Sequence, residues 1–499
     1  MKGGHFMTKH SPARADIPLL PGLTILSQGK VRDSYLLPDG KILQVATDAI
    51  SIFDFILNAL VPMKGIILTA MSVFWFKLLE SYGIKTHLVA FGSEIDRYLP
   101  ESLRNNSDLQ SRSLVVEYLE MADDVEFIIR SYLTGSGKEA YDRTGMICGH
   151  KLPSGLQDGD ALPYLLDTPT TKATAGHDEH MSAEDVRKKY PDQTYMALRI
   201  FQIAQAYAET KGIILADTKF EFGSNGTLAD EVLTPDSSRF WTLTEWEASR
   251  KSDNRKAPPA NDKQLVRIWG KTEDIHMRDP KNIEDVDHVH SLVVPEEVIK
   301  STTDSYRYIF WRLTGNTIEQ YLRKIMKVTV PDRPAKNILI ICGSETDLTT
   351  VKTACLSSDA AKIRIDIMSC HRNPLEVMRF AETEDLLQYD VIIGAGSKAL
   401  ALPGILDAWI SQFERNIPVC GVALGEPGSK ALLAAQLSIE ELPGQPVIIN
   451  EMTGQSYSGI SGFKELLWRI NNGELPPLKP RTKKPVQILA WKNYSYLQK

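Results

Sequence analysis

The sequence predicts two domains, the second an α/β fold with a parallel sheet covered on both faces, the first organised around a charged β-hairpin. Three observations carry this. Acid and base alternate over residues 215–223 just before a turn, two prolines interrupt a helical pattern near residue 331, and short apolar runs then alternate with helix-length segments.

In chain order, the opening ten residues, MKGGHFMTKH, contain no apolar core. Residues 28–35, QGKVRDSY, set a glycine and two cations before a strand-like run at 41–46. A glycine beside a lysine lets backbone amides and an ammonium approach phosphate oxygens. The spacing is neither G-x-x-x-x-G-K-[ST] nor G-x-G-x-x-G. In residues 215–223, Asp217, Lys219 and Glu221 sit two apart, so a strand presents them on one face and Ala216, Thr218, Phe220 and Phe222 on the other. Residues 223–226, GSNG, supply a turn, and 228–233 return as a second strand that brings Glu221 near Asp230 and Glu231. Converging carboxylates repel unless a cation sits between them, and hard oxygen donors suit Mg²⁺ carried by nucleotide phosphates. The bland alternative is a solvated sheet face laced with salt bridges. His177 and His180 are spaced H-x-x-H, not H-E-x-x-H; a substrate-edge loop ahead of a helix start at Ser182 accounts for them better than a zinc site.

A helical pattern closes at 321–327, and Pro331 and Pro334 prevent its continuation because each lacks a donor and restricts its predecessor. Strands are then expected at 338–342, 363–368, 391–394 and 419–424, with helices at 348–354, 374–387 and 404–414. Ligands of such sheets bind at the carboxyl ends of the strands. Three polar loops fall there: GSETD at 343–347, SCHRNP at 369–374 and GAGSK at 394–398.

At 499 residues and 43% hydrophobic, the chain has enough apolar material for two or three cores, and a net charge of −6 gives no reason to expect nucleic acid or an anionic membrane as partner. No stretch is long and apolar enough to span a bilayer. Five cysteines without a C-x-x-C pair suit a reducing cytoplasm. The tail from 478 is basic and proline-containing.

GKVRD at 29–33, DAISIFD at 48–54, KGIILT at 64–69, RSYLTGSGKEAY at 130–141, GHDEHMS at 176–182, DTKFEFG at 217–223, DEVLTPDSSRFW at 230–241 and DKQLVRIW at 262–269 together resemble the SAICAR synthetase family, in order, over about the first 325 residues. The resemblance implies an ATP-grasp-like α+β fold that joins L-aspartate to the carboxylate of carboxyaminoimidazole ribotide (CAIR) through an acyl phosphate. It further implies that Gly29, Lys30, Arg32 and Lys219 meet ATP, with Lys219 also catalytic, and that Glu221 and Asp230 hold Mg²⁺. Arg130, Ser136, Asp236, Ser238, Arg239, Lys263 and Arg267 are implied to bind substrate, the planar guanidinium forks suiting phosphate and carboxylate.

GSETD, SCHRNP and GAGSKALALPG together resemble the catalytic subunit of AIR carboxylase, or of its N5-CAIR mutase form, over residues 336–472. This family makes CAIR, so the two resemblances describe consecutive steps of purine biosynthesis in the domain order of the bifunctional animal enzyme. They imply a flavodoxin-like second domain in which Ser344, Thr346, Asp347, Ser369 and Arg372 meet the ribotide, His371 handles the proton and Lys398 supplies a catalytic cation. Two departures stand out. Ala401 replaces the histidine of G-A-A-H-L-P-G, and Arg372 stands where the animal form has lysine. A second reading therefore keeps the C-terminal domain as a ribotide-binding or oligomerising scaffold. The expected boundaries are a ligase domain at 1–328, a linker at 329–336, a carboxylase-like domain at 337–475 and a basic extension at 476–499. A homo-oligomer through the second domain, up to an octamer, is implied.

Overall fold

The computed structural model describes residues 11–478, except 16, 123–124, 172–178, 252–254, 259–262, 332–334, 357–360, 451–452 and 477. His177 and most of the basic tail therefore lie outside the described residues. The chain divides into two compact units, Met1–Pro331 and Asp332–Lys499.

The first unit is α+β. Its first sheet is antiparallel, with strands β1 (Thr24–Gln28), β2 (Arg32–Leu36), β3 (Ile42–Ala46), β4 (Leu88–Phe91) and β5 (Ser113–Val116) in the order β1-β2-β3-β5-β4. Its second sheet is built on β6 (Val125–Tyr132), β7 (Ala161–Asp167), β8 (Ile213–Phe222), β9 (Leu228–Ala229) and β10 (Ser238–Thr242). Here β8 is central and antiparallel to β6, β9 and β10. Three long helices, α1 (Lys64–Ser81), α2 (Pro191–Glu209) and α3 (Glu296–Thr314), bring Trp75, Phe76, Phe201, Tyr306 and Phe310 against Phe127, Phe220 and Phe222 in one buried cluster. Burying side chains of this size is the main drive for docking the helices on the sheet, at about 25 cal/mol per Å² of apolar surface.

Strand β8 departs from simple alternation. Leu215 opposes Phe240 and Asp217 opposes Arg239, so Ala216 is the extra residue of a β-bulge. The bulge moves the apolar face across the sheet: Ile213 and Leu215 lie in the helix-facing core with Phe220 and Phe222, whereas Ile214 and Ala216 join Trp241 on the opposite side. Ala216 is thus not on the Phe220 face, as strict alternation predicts. The return strand is also shorter than 228–233. It ends at Ala229 because Asp230 and Leu233 take left-handed backbone conformations, φ 56° and 54°.

The second unit is a parallel sheet of β11 (Lys336–Cys342), β12 (Ala361–Ile367), β13 (Val391–Gly396), β14 (Val419–Ala423) and β15 (Tyr457–Ser458), ordered β12-β11-β13-β14-β15 as in flavodoxin-like folds. Helices α4 (Leu348–Cys355), α5 (Pro374–Glu382), α6 (Leu402–Gln412), α7 (Lys430–Glu440) and α8 (Gly459–Asn472) complete it, with one apolar cluster on each face of the sheet. Helix α5 stops short of 387 because Thr383 turns extended and its hydroxyl bonds the Phe380 carbonyl, offering the backbone an alternative to the helix. Gly394–Gly396 belong to β13 rather than to a loop, so the third polar loop begins at Ser397. α7, β15 and α8 carry no expected counterpart.

Gly92 shows how tightly the first unit closes. Its φ is +59°, and a Cβ there would lie 1.9 Å from the Met326 carbonyl oxygen. Gly92→Ala is expected to destabilise this unit by more than about 2 kcal/mol, read as a lowered Tm in scanning calorimetry.

Candidate functional site

The β1–β2 turn is held by the Gly29 N–H donating to the Arg32 carbonyl at 2.8 Å, and a Cβ on Gly29 would sit 2.7 Å from that oxygen. The turn therefore needs glycine for close approach, not for a left-handed backbone. Lys30 pairs with Asp54 at 2.6 Å. Arg32 donates to Asp230 at 2.5 Å and to Glu231 at 3.1 Å, so a guanidinium stands among the converging carboxylates. Glu221, Asp230 and Glu231 together raise its pKa against the effect of burial. The same side of the first unit holds His87, whose burial pushes the imidazole down to about 4, leaving it neutral.

These groups line a cavity of about 680 Å³ between the two sheets, with Gly29, Lys30 and Arg32 on one wall and Lys219, Glu221 and Asp230 on the other. An adjoining cavity of about 250 Å³ is lined by Arg130, Asp217, Ser238, Arg239, Lys263 and Arg267. Glu126, Lys219, Asp236 and Lys263 line both. The junction thus carries two carboxylates and two ammonium groups.

Asp217 organises the smaller cavity. Its Oδ2 accepts from Arg130 and, at 3.1 Å, from Arg239, while Arg130 also donates to Thr168 and Ser136 at 3.0 Å each. Ser136 reaches the site only through Arg130, and Ser238 exchanges a hydroxyl hydrogen bond of 2.7 Å with Thr218. At the junction Lys219 pairs with Glu126 at 2.7 Å. Burial alone lowers an ammonium pKa, but Glu126 and Glu221 hold Lys219 well above the usual lysine range. Asp236 is gripped from below: Lys64 forms an ion pair with one oxygen at 2.7 Å and the Tyr306 hydroxyl donates to the other at 2.5 Å. Burial opposes ionisation there, yet Lys64 and Lys263 hold the carboxyl well below the usual range. Lys263 is the reverse case. Burial, with Arg267, Lys64 and Lys219 nearby, pushes its ammonium down to about 8 against the pull of Asp236.

Glu126, Lys64, Tyr306 and Asp54 are partners the sequence reading did not assign. A single carboxylate inside the apolar run VEFII was the available signal for Glu126, since a buried charge needs a partner. His180 borders the smaller cavity behind Arg130: burial and the Arg130 charge lower its imidazole against a hydrogen bond to the Ser136 backbone, and its Nδ1 lies 3.3 Å from the Cys148 sulfur, whose thiol burial pushes up to about 12. Ser182 caps the following helix by accepting from the Asp185 N–H.

In the second unit, a cavity of about 300 Å³ opens at the carboxyl ends of β11, β12 and β13. Ser344, Thr346, Asp347, Ser369, His371, Lys398 and Ala401 line it. Ser344 shapes the first loop, accepting from the Thr346 N–H at 3.1 Å. A Cβ on Gly396 would lie 2.9 Å from Leu400 and 3.5 Å from the Asp347 carboxylate, so glycine keeps this floor open. Lys398 has φ 63° and Ala401 contributes only a methyl group, so no titratable side chain stands at that position. Arg372 instead donates to the Gly343 carbonyl at 3.0 Å, bridging two of the loops from outside the cavity lining. His371 does not cap α5, whose N-cap residue is Asn373.

Residues 25–282 match the SAICAR synthetase family and residues 337–456 match the AIR carboxylase family. The chain is 40% identical over 303 residues to the phosphoribosylaminoimidazole-succinocarboxamide synthase of Neisseria meningitidis serogroup A, covering 59% of this chain and 98% of that protein. The enzyme of the same name from Maridesulfovibrio salexigens is 41% identical over 307 residues, covering 60% and 96%. Among solved structures, SAICAR synthase from Saccharomyces cerevisiae, complexed with SAICAR, aligns with a TM-score of 0.51 at 34% identity, covering 60% of this chain and 97% of that one.

Lys64→Met removes the directly paired cation of the largely buried Asp236 carboxylate, leaving only Lys263 nearby, and should cost about 3 kcal/mol of stability. Thermal unfolding of the single variant and of Lys64→Met/Asp236→Asn checks this, with the double variant expected to recover part of the loss.

Proposed function

Through its N-terminal unit the chain belongs to the SAICAR synthetase family, and we propose that this unit ligates L-aspartate to CAIR, with ATP giving ADP and phosphate, while the AIR-carboxylase-type C-terminal unit makes the CAIR it consumes. The observation that carries the ligase reading is the pair of cavities sharing Glu126, Lys219, Asp236 and Lys263 as a common wall. A carboxylate and an amine do not condense at neutral pH without activation. Two adjoining pockets let a nucleotide's terminal phosphoryl group meet a ribotide carboxylate across a short, charge-lined junction.

In this reading Gly29, Lys30 and Arg32 face the nucleotide phosphates. Arg130 and Arg239, fixed by Asp217, bind the ribotide phosphate with the help of Ser136. Asp236, Ser238, Lys263 and Arg267 complete that pocket. Lys219 stands at the junction as a permanent cation and neutralises charge as the phosphoryl group moves to the CAIR carboxylate. The aspartate amine then attacks the acyl carbon, phosphate leaves, and the amine proton passes to solvent. Glu221 and Asp230 offer two hard oxygen donors at the nucleotide cavity, which suits Mg²⁺ when phosphate oxygens complete its shell; among the described residues there is no protein-only cluster of three or more ligands. Such an ion supplies charge neutralisation at the phosphoryl group.

In the C-terminal unit Ser344, Thr346, Asp347 and Ser369 face the ribotide, with Arg372 steadying the loop that carries His371. The His371 imidazole takes the proton released as the carboxyl group joins carbon, and Lys398 lends a cation to the carboxylate. Ala401 favours one second reading, a ribotide-binding scaffold without turnover. A homo-oligomer built through this unit, in a reducing cytoplasm, is part of the proposal. All five cysteines are free, and among the described residues no helix is long and apolar enough to cross a membrane.

Two measurements test this. With the full chain, steady-state ATP hydrolysis should require CAIR and L-aspartate together; hydrolysis with CAIR alone points to a kinase. With ATP withheld, CAIR should accumulate from AIR plus bicarbonate if the second unit is a carboxylase and faster from N5-CAIR if it is a mutase; no CAIR from either supports the scaffold. A pH dependence follows from Lys263, which is cationic below about 8 and neutral above. The KM for CAIR should rise as pH passes through about 8, and Lys263→Arg should remove that rise, because a guanidinium stays charged.

A further inference from the structure

Beyond the ribotide pocket lies a third cavity, of about 600 Å³, that the reaction above does not use. It continues the same sheet face. Arg239 and Trp241 are two apart on β10, and Tyr132 follows Arg130 by two on β6, so the row that begins at Glu221 and Lys219 runs through Asp217, Arg130 and Arg239 and reaches Trp241 on the far side of the bulge. Arg239 lines both the ribotide pocket and this alcove. A short helix, Gln264–Thr272, divides them: its N-cap residue Lys263 and Arg267 line the pocket, and Gln264, Ile268 and Lys271 line the alcove.

The alcove is electropositive. Lys138, Arg239, Arg255, Lys256 and Lys271 line it against Glu139 and Asp158. Lys138 is paired with Asp142, Arg255 with Asp160 and Arg239 with Asp217. Lys256 and Lys271 are exposed and have no ion pair among the described residues. The floor holds the fully buried Trp241, whose indole N–H has no acceptor among the described residues. The chain as a whole carries −6, so its overall field repels an anion, and local positive potential must supply any attraction.

We propose that this alcove is the entry vestibule for the ribotide, in which Lys256 and Lys271 capture the phosphate end and pass it to Arg239 and Arg130. The inference rests on the ligase reading for the identity of the ribotide. Charges that steer an encounter act on the association step and are screened by salt, whereas charges that hold the bound ligand act on affinity at every ionic strength.

The test compares Lys256→Ala/Lys271→Ala with Lys188→Ala/Lys300→Ala, which removes the same net charge from two lysines that line neither the alcove nor the ribotide pocket. In the full chain at low salt, kcat/KM for CAIR should fall by about three- to tenfold in the first variant only, and the difference should vanish near about 0.5 M salt. The KM values for ATP and L-aspartate should not move. An equal effect in both variants, or a deficit that persists at high salt, overturns the vestibule, and a raised KM for aspartate makes the alcove the aspartate site instead. The association rate of ribose 5-phosphate, followed by stopped-flow tryptophan fluorescence, gives the same comparison without turnover. Loss of the ligase reading and loss of the vestibule are therefore separable.

Discussion

One carboxylate, Asp217, fixes the geometry on which the site of the first unit depends. It sits on the central strand of the second sheet and takes hydrogen bonds from Arg130 on one neighbouring strand and Arg239 on the other. Two guanidinium groups side by side repel, and burying them costs solvation; a shared carboxylate offsets both. The same contact ties three strands together and holds both guanidinium groups in the lining of the smaller cavity. A guanidinium fork held in place can donate to two oxygens of an anion at once without further ordering.

The β-bulge at Ala216 serves the same end. Without it, strict alternation would keep Asp217 on the face occupied by Leu215, inside the helix-packed core. With it, the segment before the bulge buries Ile213 and Leu215 and the segment after it buries Phe220 and Phe222, while the charged side chains come out into the cleft. A single inserted residue thus reconciles one helix-covered face along the strand with a charged row on the other.

Much of this was legible in the sequence. The spacing of Asp217, Lys219 and Glu221 announced the charged strand, and the alternation of apolar runs after Pro334 announced the parallel sheet. What stayed hidden has a common cause in chain separation. Glu126 meets Lys219 across 93 residues, Tyr306 meets Asp236 across 70, and Lys64 reaches the same carboxylate from the first turn of a helix. No local period encodes such pairs. They follow from three helices and two sheets closing on one core, and a lone charge in an apolar run shows only that some partner must exist. The bulge was hidden for a related reason, because it is set by the partner strand's register rather than by the strand's own residues. The last helices of the second unit were missed because their amphipathic segments follow a stretch of mixed polarity after Leu424 that carries no strand signal.

The position of Arg32 has a consequence for how the acidic residues around it pack. Small metal-bound domains often remain unfolded until the ion arrives, because their acidic ligands repel one another in its absence. Here Arg32 binds Asp230 and Glu231 directly and also feels Glu221. The acidic cluster carries an internal counter-ion supplied by its own chain. Those carboxylates can therefore pack together in the folded chain with part of their mutual repulsion already offset by a side chain of the same polypeptide.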